Sequence, residues 1–365
     1  MKIKAAVLYE PNTDLKIEEI ELAGPAQGEI LVKLVASGIC HTDASAAEGI
    51  IPVPMPIVLG HEGAGIVEQV GTGVSSLQPG DHVVLTGVGS CGKCRPCVTG
   101  QPVMCQVFRP LLFTGTLIGG QRRLQKNGQA LNHFFAQSSF AEYAVVPQET
   151  AIKVRDDASL EIVCLLGCGG MTGIGSVRNK ANLKAGASIA VFGCGGVGMS
   201  AIMAAKLTGA GKIIAVDILD SKLRAAEKLG ANHLINATDE DAVERIKQLT
   251  KGGADFAIAA VGDTGVITQA FNSIIPGGKC VVAGAAPQGA KLNIDALSLM
   301  REKTIAGCTM GSGVPQQDIP AYIDLFMNGM LPIDKLVTKR YQLSEINDAI
   351  QALKEGEIIK PVIVY

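Results

Sequence analysis

Short apolar runs rich in β-branched residues, set apart by glycine and proline, fill the first part of the chain. ILVKLVASGIC (30–40), GAGIVEQVG (63–71) and DHVVLTGV (81–88) read as strands between turns, as do EYAVVPQ and TAIKV within 142–154. They predict an irregular β-rich domain. Near residue 170 the pattern changes. ASIAVFG (187–193) is an apolar strand, GVGMSAIMAAKLTGA a helix, KIIAVD (212–217) a strand and SKLRAAEKLGA a helix, followed by strands at DFAIAAVG (255–262) and KCVVAGA (279–285). Strands alternating with helices predict βαβ units and a parallel sheet. Beyond about residue 308 the elements are mixed again: EINDAIQALKEG is a helix ending at Gly356, and KPVIVY a closing strand. The predicted organisation is a domain of residues 1–169 and 309–365 interrupted by an α/β domain of residues 170–308.

Composition agrees with two domains. The chain has 365 residues, more than one average core organises, with 47% hydrophobic and 18% charged residues. A net charge of -2 without a basic block argues against nucleic acid as a partner. The start, MKIKAAVLYE, lacks the apolar stretch of a secretion signal, and no apolar run reaches the length of a membrane helix. The expected setting is the cytosol, without a membrane partner. There, clustered cysteines are metal ligands more often than disulfides.

VFGCGGVGMS contains Gly193, Gly195 and Gly198 in G-x-G-x-x-G spacing, after an apolar strand and opening an apolar helix. Asp217 ends the next strand, 24 positions after Gly193. In isolation the glycines would signify only a tight turn. In this setting they predict a dinucleotide site, with Gly196 and Val197 completing a helix N-terminus that faces a pyrophosphate. The Asp217 carboxylate accepts from ribose hydroxyls and repels a 2′-phosphate, which favours NAD over NADP. Lys222 is either a further ribose contact or a solvated helix lysine.

CGKCRPCVTGQPVMC places Cys91, Cys94, Cys97 and Cys105 within fifteen residues. Four thiolates on one short loop suit a closed tetrahedral zinc site with no vacancy for substrate, hence a structural one. Chemistry then belongs elsewhere. GICHTD offers Cys40, Thr42 and Asp43, LGHEGAG offers His61 and Glu62, and LLGCGGMTG offers Cys168. One histidine and two cysteines can hold zinc with a fourth position open, although lone cysteines are more often small core residues. Cys164, Cys194, Cys280 and Cys308 are read as core, His82 as a strand residue, and His133 and His233 as loop or core residues.

GHEGAGIVEQVG, the four-cysteine lobe, GCGGMTGIGS and the glycine-rich turn with Asp217 together resemble the zinc-dependent medium-chain alcohol dehydrogenases, over essentially the whole chain. NHFFAQSSFAEY (132–143) is most similar to the aryl (benzyl) alcohol dehydrogenase branch. The resemblance implies a chaperonin-10-like β-rich catalytic domain plus a Rossmann domain with a doubly wound parallel sheet. It also implies NAD, two zinc ions per chain, and a homodimer or homotetramer. By position, Cys40, His61 and Cys168 match the catalytic zinc ligands and Glu62 an acidic neighbour that can approach the metal. Asp43 matches the carboxylate that orients the ligand histidine. Thr42 matches the hydroxyl that takes the substrate proton towards the ribose. His41, and with it Lys360, match positions near the cofactor phosphates.

Two positions depart from the pattern. Ser45 stands where many members have a proton-relay histidine, so the proton leaves through ribose, Ser45 or water. Gly87 stands at a pocket-wall position that is often aromatic, and is either the sign of a roomier pocket or a turn glycine. The implied reaction is oxidation of a primary, aromatic or allylic alcohol to its aldehyde with hydride transfer to NAD, and the reverse. Alternatives are a related enzyme acting on polyols or thiol–formaldehyde adducts, and a non-catalytic zinc and nucleotide-binding protein.

Overall fold

A computed structural model describes residues 1–365. The chain forms two compact units. One comprises Met1–Cys168, Gly313–Met327 and Ile333–Tyr365, and the other Gly169–Ser312 and Asn328–Pro332. No single helix is long and apolar enough to cross a membrane.

In the first unit the strands predicted from β-branched runs assemble one sheet. Its order is Ala151–Lys153, His82–Leu85, Glu62–Val70, Glu29–Gly38, Lys360–Val364 and Val337–Gln342, with Tyr143–Pro147 also paired to Glu29–Gly38. The long central strand Glu29–Gly38 is mostly buried, with Lys33 exposed. At its far end Gly38 pairs with Glu62, Ser37 with Gly63, and Gly38 again with Val362 of the closing strand. This register brings the start of strand Glu62–Val70 and the start of strand Lys360–Val364 to one place.

A second sheet in this unit closes into a barrel: Lys2–Leu8, Lys16–Leu22, Leu124–Lys126, Gln129–His133 and Ile57–Val58. Its strands were not predicted. KIEEIEL carries one buried isoleucine and one buried leucine among charged residues, too few apolar positions to show alternation clearly. Ile3, Ile20, Leu22, Val58, Leu124 and Leu131 nevertheless meet in one apolar cluster inside it.

The second unit holds six parallel strands in the order His233–Asn236, Lys212–Asp217, Ser188–Phe192, Ala254–Ala259, Ile274–Val282 and Thr304–Gly307. Numbered along the chain this is 3-2-1-4-5-6, the doubly wound arrangement in which the order reverses beside the first strand. The two outermost strands escaped prediction because each has only four residues, mostly not buried. Helix Gly169–Gly175, GGMTGIG, was also not predicted, since glycine disfavours helix by about 1 kcal/mol per residue. Packing overrides that cost. A methyl group on Gly173 would run into the carbonyl of Val197 and the side chain of Ser200. Glycine therefore lets this helix lie directly against helix Gly196–Thr208.

Gly173→Ala is expected to cost about 1–3 kcal/mol through overpacking, read as a lowered denaturant midpoint with unchanged slope.

Candidate metal and nucleotide sites

Cys40 is the N-cap of helix His41–Ala47, with extended backbone (φ -111°, ψ 155°). Asp43, at the third helical position, closes the cap: its Oδ2 accepts the Cys40 N–H at 2.9 Å. The other oxygen accepts the Gly60 N–H at 3.1 Å and meets His61 Nδ1 at 2.9 Å. Gly60 has φ +92°, a conformation that side chains resist, and it turns the chain so that His61 follows directly. Asp43, His61 and Glu62 are buried.

Cys168 completes the group. One ligand atom from each of Cys40, His61, Glu62 and Cys168 lies within 4.8 Å of the others. Since Asp43 occupies Nδ1, the donor left to His61 is Nε2, which is buried and has no hydrogen-bond partner. A buried imidazole nitrogen facing two thiols is a poor arrangement for a polar core and a good one for a soft-to-borderline cation. The protons reflect the same crowding. The Cys168 thiol donating to Cys40 holds the Cys40 thiol well below its ordinary value against burial, with Lys360 and His61 helping. Cys168 is pushed up by that hydrogen bond and by burial. For His61 burial opposes the charged ring, but Asp43 and Cys40 outweigh it and raise the group to about 10. A cation entering here displaces these protons.

Lys360, expected near phosphates, is placed elsewhere. Its ammonium is buried, 2.6 Å from Glu62 Oε1 and 2.5 Å from Oε2, and donates to the Ile39 carbonyl at 3.0 Å. Burial pushes the Glu62 carboxyl up and Lys360 opposes it. A side chain on Gly38 would collide with the Glu62 carboxylate. Sequence reading missed this ion pair because 298 residues separate its members. Gly87 is no vacancy either: a Cβ there would lie 2.5 Å from Cδ1 of Phe135. Thr42 is half-buried, its hydroxyl 3.7 Å from Cys40 Sγ. His41 is exposed and Ser45 half-buried. His133 is buried at the end of a barrel strand, with Nε2 accepting the Arg123 N–H.

Cys91, Cys94, Cys97 and Cys105 form the second donor group, all free thiols. Their Sγ–Sγ separations include 3.4, 3.8 and 4.0 Å. Tetrahedral zinc with bonds of about 2.3 Å separates its sulfurs by about 3.8 Å, so the loop is already shaped for the ion. Backbone N–H groups of Gln106 and Cys97 hold Cys94 down at about 6, which favours thiolate. Cys164, Cys194, Cys280 and Cys308 are buried outside both groups.

In the second unit, Gly193 (φ +90°) turns the chain out of strand Ser188–Phe192, and Gly195 caps helix Gly196–Thr208. A side chain on Gly198 would strike the Gly193 carbonyl, whereas nothing lies within 4 Å of where one on Gly195 would be. That open space stands before the N–H groups of Gly196, Val197 and Gly198, the free end of the helix dipole. Asp217 caps the turn: Oδ2 accepts the Cys194 N–H at 2.7 Å, and Oδ1 accepts those of Ile218 and Leu219. Lys222 is half-buried, and its charge reaches the Cys194 thiol, which burial and Asp217 push up.

Two family models match the chain: a zinc-binding dehydrogenase model over residues 196–328 and an alcohol dehydrogenase GroES-like domain model over residues 26–156. The chain is 37% identical to an S-(hydroxymethyl)glutathione dehydrogenase of Escherichia coli O1:K1, over all of both chains. It is 43% identical to an alcohol dehydrogenase zinc-binding domain protein from Burkholderia ambifaria, with a TM-score of 0.96. It is 41% identical to the benzyl alcohol dehydrogenase of Acinetobacter calcoaceticus, with a TM-score of 0.95. Each of these two structures covers 100% of this chain and is itself 99% covered.

Lys360→Met strips the buried Glu62 carboxylate of its cation and is expected to destabilise the fold by about 3–5 kcal/mol. Adding Glu62→Gln should recover much of that loss in urea unfolding.

Proposed function

Since this chain belongs to the zinc-binding medium-chain alcohol dehydrogenase family, we propose that it oxidises a primary aromatic or allylic alcohol to its aldehyde with hydride transfer to NAD, and catalyses the reverse. One arrangement carries the proposal: two cysteines and a histidine converge, with the histidine's outer nitrogen fixed by Asp43 and its inner nitrogen unpaired. Cys40, His61 and Cys168 are the residues to hold a catalytic zinc, and Cys91, Cys94, Cys97 and Cys105 those to hold a structural one. When bound, zinc supplies Lewis-acid stabilisation of the substrate oxygen and the nicotinamide supplies the hydride acceptor.

The protein's own work is placement and proton handling. Asp43 keeps His61 in the tautomer that presents Nε2. Thr42, beside Cys40, takes the substrate's hydroxyl proton and passes it outward; without a histidine at position 45 the exit runs through the ribose hydroxyl, Ser45 or water. The amides of Gly196, Val197 and Gly198 receive the pyrophosphate, and the Asp217 carboxylate disfavours a 2′-phosphate. Phe113 stands 5.3 Å from Phe135 and is 39% exposed. The partly exposed Phe113 ring near the donors suits an aryl substrate, as does the likeness to benzyl alcohol dehydrogenase. S-(Hydroxymethyl)glutathione is the second reading, favoured by the relatives of that name.

Metal analysis should give two zincs per chain, with NADH formed faster from benzyl alcohol than from S-(hydroxymethyl)glutathione. The reverse ranking would replace the substrate, and one zinc without turnover would remove the catalytic reading. Thr42→Ala should lower kcat about 100-fold while zinc content holds. Asp217→Ala should narrow the preference for NAD over NADP by about tenfold or more in kcat/KM.

A further inference from the structure

His61 is held by more than its carboxylate. The ring of Phe135 lies over the imidazole, centroids 4.4 Å apart and planes 25° from parallel, while Phe134 meets it edge-on at 5.6 Å and 78°. A single hydrogen bond from Nδ1 leaves the imidazole free to swing about that bond. A ring stacked on its face removes the swing and fixes where Nε2 points. Phe135 reaches this position at a cost. Its backbone has φ +54°, and Ala136 and Ser138 have φ +51° and +61°, left-handed values that side chains with a Cβ resist. A buried network retains the strained turn. The Phe135 N–H donates to the Leu112 carbonyl, the Phe134 N–H to Ser138 Oγ, and the Gly63 N–H to Gln137 Oε1. Gly63 lies two residues after His61. Opposite, Gly87 has no side chain, and any Cβ there would stand 2.5 and 3.0 Å from two carbons of the Phe135 ring.

We propose that Phe135 is a positioning residue for the metal-ligating histidine, and that position 87 is glycine so that this ring can lie on His61. Phe135 does not touch the reacting atoms; it acts by setting the plane of the imidazole, and the strained turn is retained for that purpose. The proposal rests on His61 being a metal ligand, as proposed above.

The test uses the full-length protein with cobalt(II) in place of zinc, read by its visible ligand-field spectrum and by the rate at which a chelator strips each site. Phe135→Leu, which keeps most of the volume, and Phe135→Ala should each shift the ligand-field bands and speed metal loss from the Cys40 group by about tenfold or more. Metal loss from the Cys91–Cys105 loop should not change. Gly87→Ala should reproduce the shift, and Gly87→Ala with Phe135→Ala should be no worse than Phe135→Ala alone, since both act on one contact. A folded Phe135→Leu protein with the parent spectrum and the parent rate of metal loss would overturn the proposal, as would additive effects of the pair. His61→Asn serves as the separate control: if it keeps the parent cobalt spectrum, His61 is no ligand and the metal-site reading itself fails.

Discussion

One buried carboxylate organises the catalytic half of the protein. Asp43 accepts from the backbone of Cys40, accepts from the backbone of Gly60 and meets the imidazole of His61. A carboxylate taken out of water is expensive unless its lone pairs are used. Here three contacts use them, and each contact fixes part of the site: the helix cap that carries one thiol, the turn that delivers the histidine, and the tautomer of the ring. Removing the carboxylate would therefore cost the geometry of two candidate donors together.

Around this anchor the charges are stacked in depth. Glu62 lies behind His61 and beside the thiols, and Lys360 lies against Glu62. The lysine comes from the first position of the closing strand, which pairs with the same end of Glu29–Gly38 that pairs with Glu62. Sheet register thus has an electrostatic consequence: it supplies a cation to a buried anion beside the thiols. On the far face of His61 the neighbours are aromatic. The imidazole sits between a polar anchor and an apolar wall.

The donor groups and the glycine-rich turn were more legible in the sequence than the architecture around them. Gly193, Gly198 and Asp217 could be read because their spacing is local and each has a steric or electrostatic reason. Cys91 to Cys105 could be read because four donors share one loop. Strands Glu29–Gly38, Glu62–Val70 and Lys212–Asp217 were legible from their apolar runs. The barrel was not, since strands such as Lys16–Leu22 expose most of their side chains. Helix Gly169–Gly175 was not, since its glycines answer to the neighbouring helix and not to helix propensity. Lys360 was read as near the phosphates, and for Gly87 a roomier pocket and a turn glycine were left open. Both depend on partners far along the chain, Glu62 and Phe135, which no local pattern reveals.

The two donor groups also differ in how far apart the chain places them. Cys91 and Cys105 are 14 positions apart, and Cys40 and Cys168 are 128 apart. Closing the longer span in a disordered chain costs about 2 kcal/mol more, roughly a thirtyfold lower local concentration of the last ligand. The compact cysteine loop can thus bring its four donors together at a lower entropic cost than the Cys40 group. The other set of donors exists only after the sheet has formed and residue 168 has arrived. If both groups hold zinc as proposed, the closure cost alone would favour filling the loop before the Cys40 group.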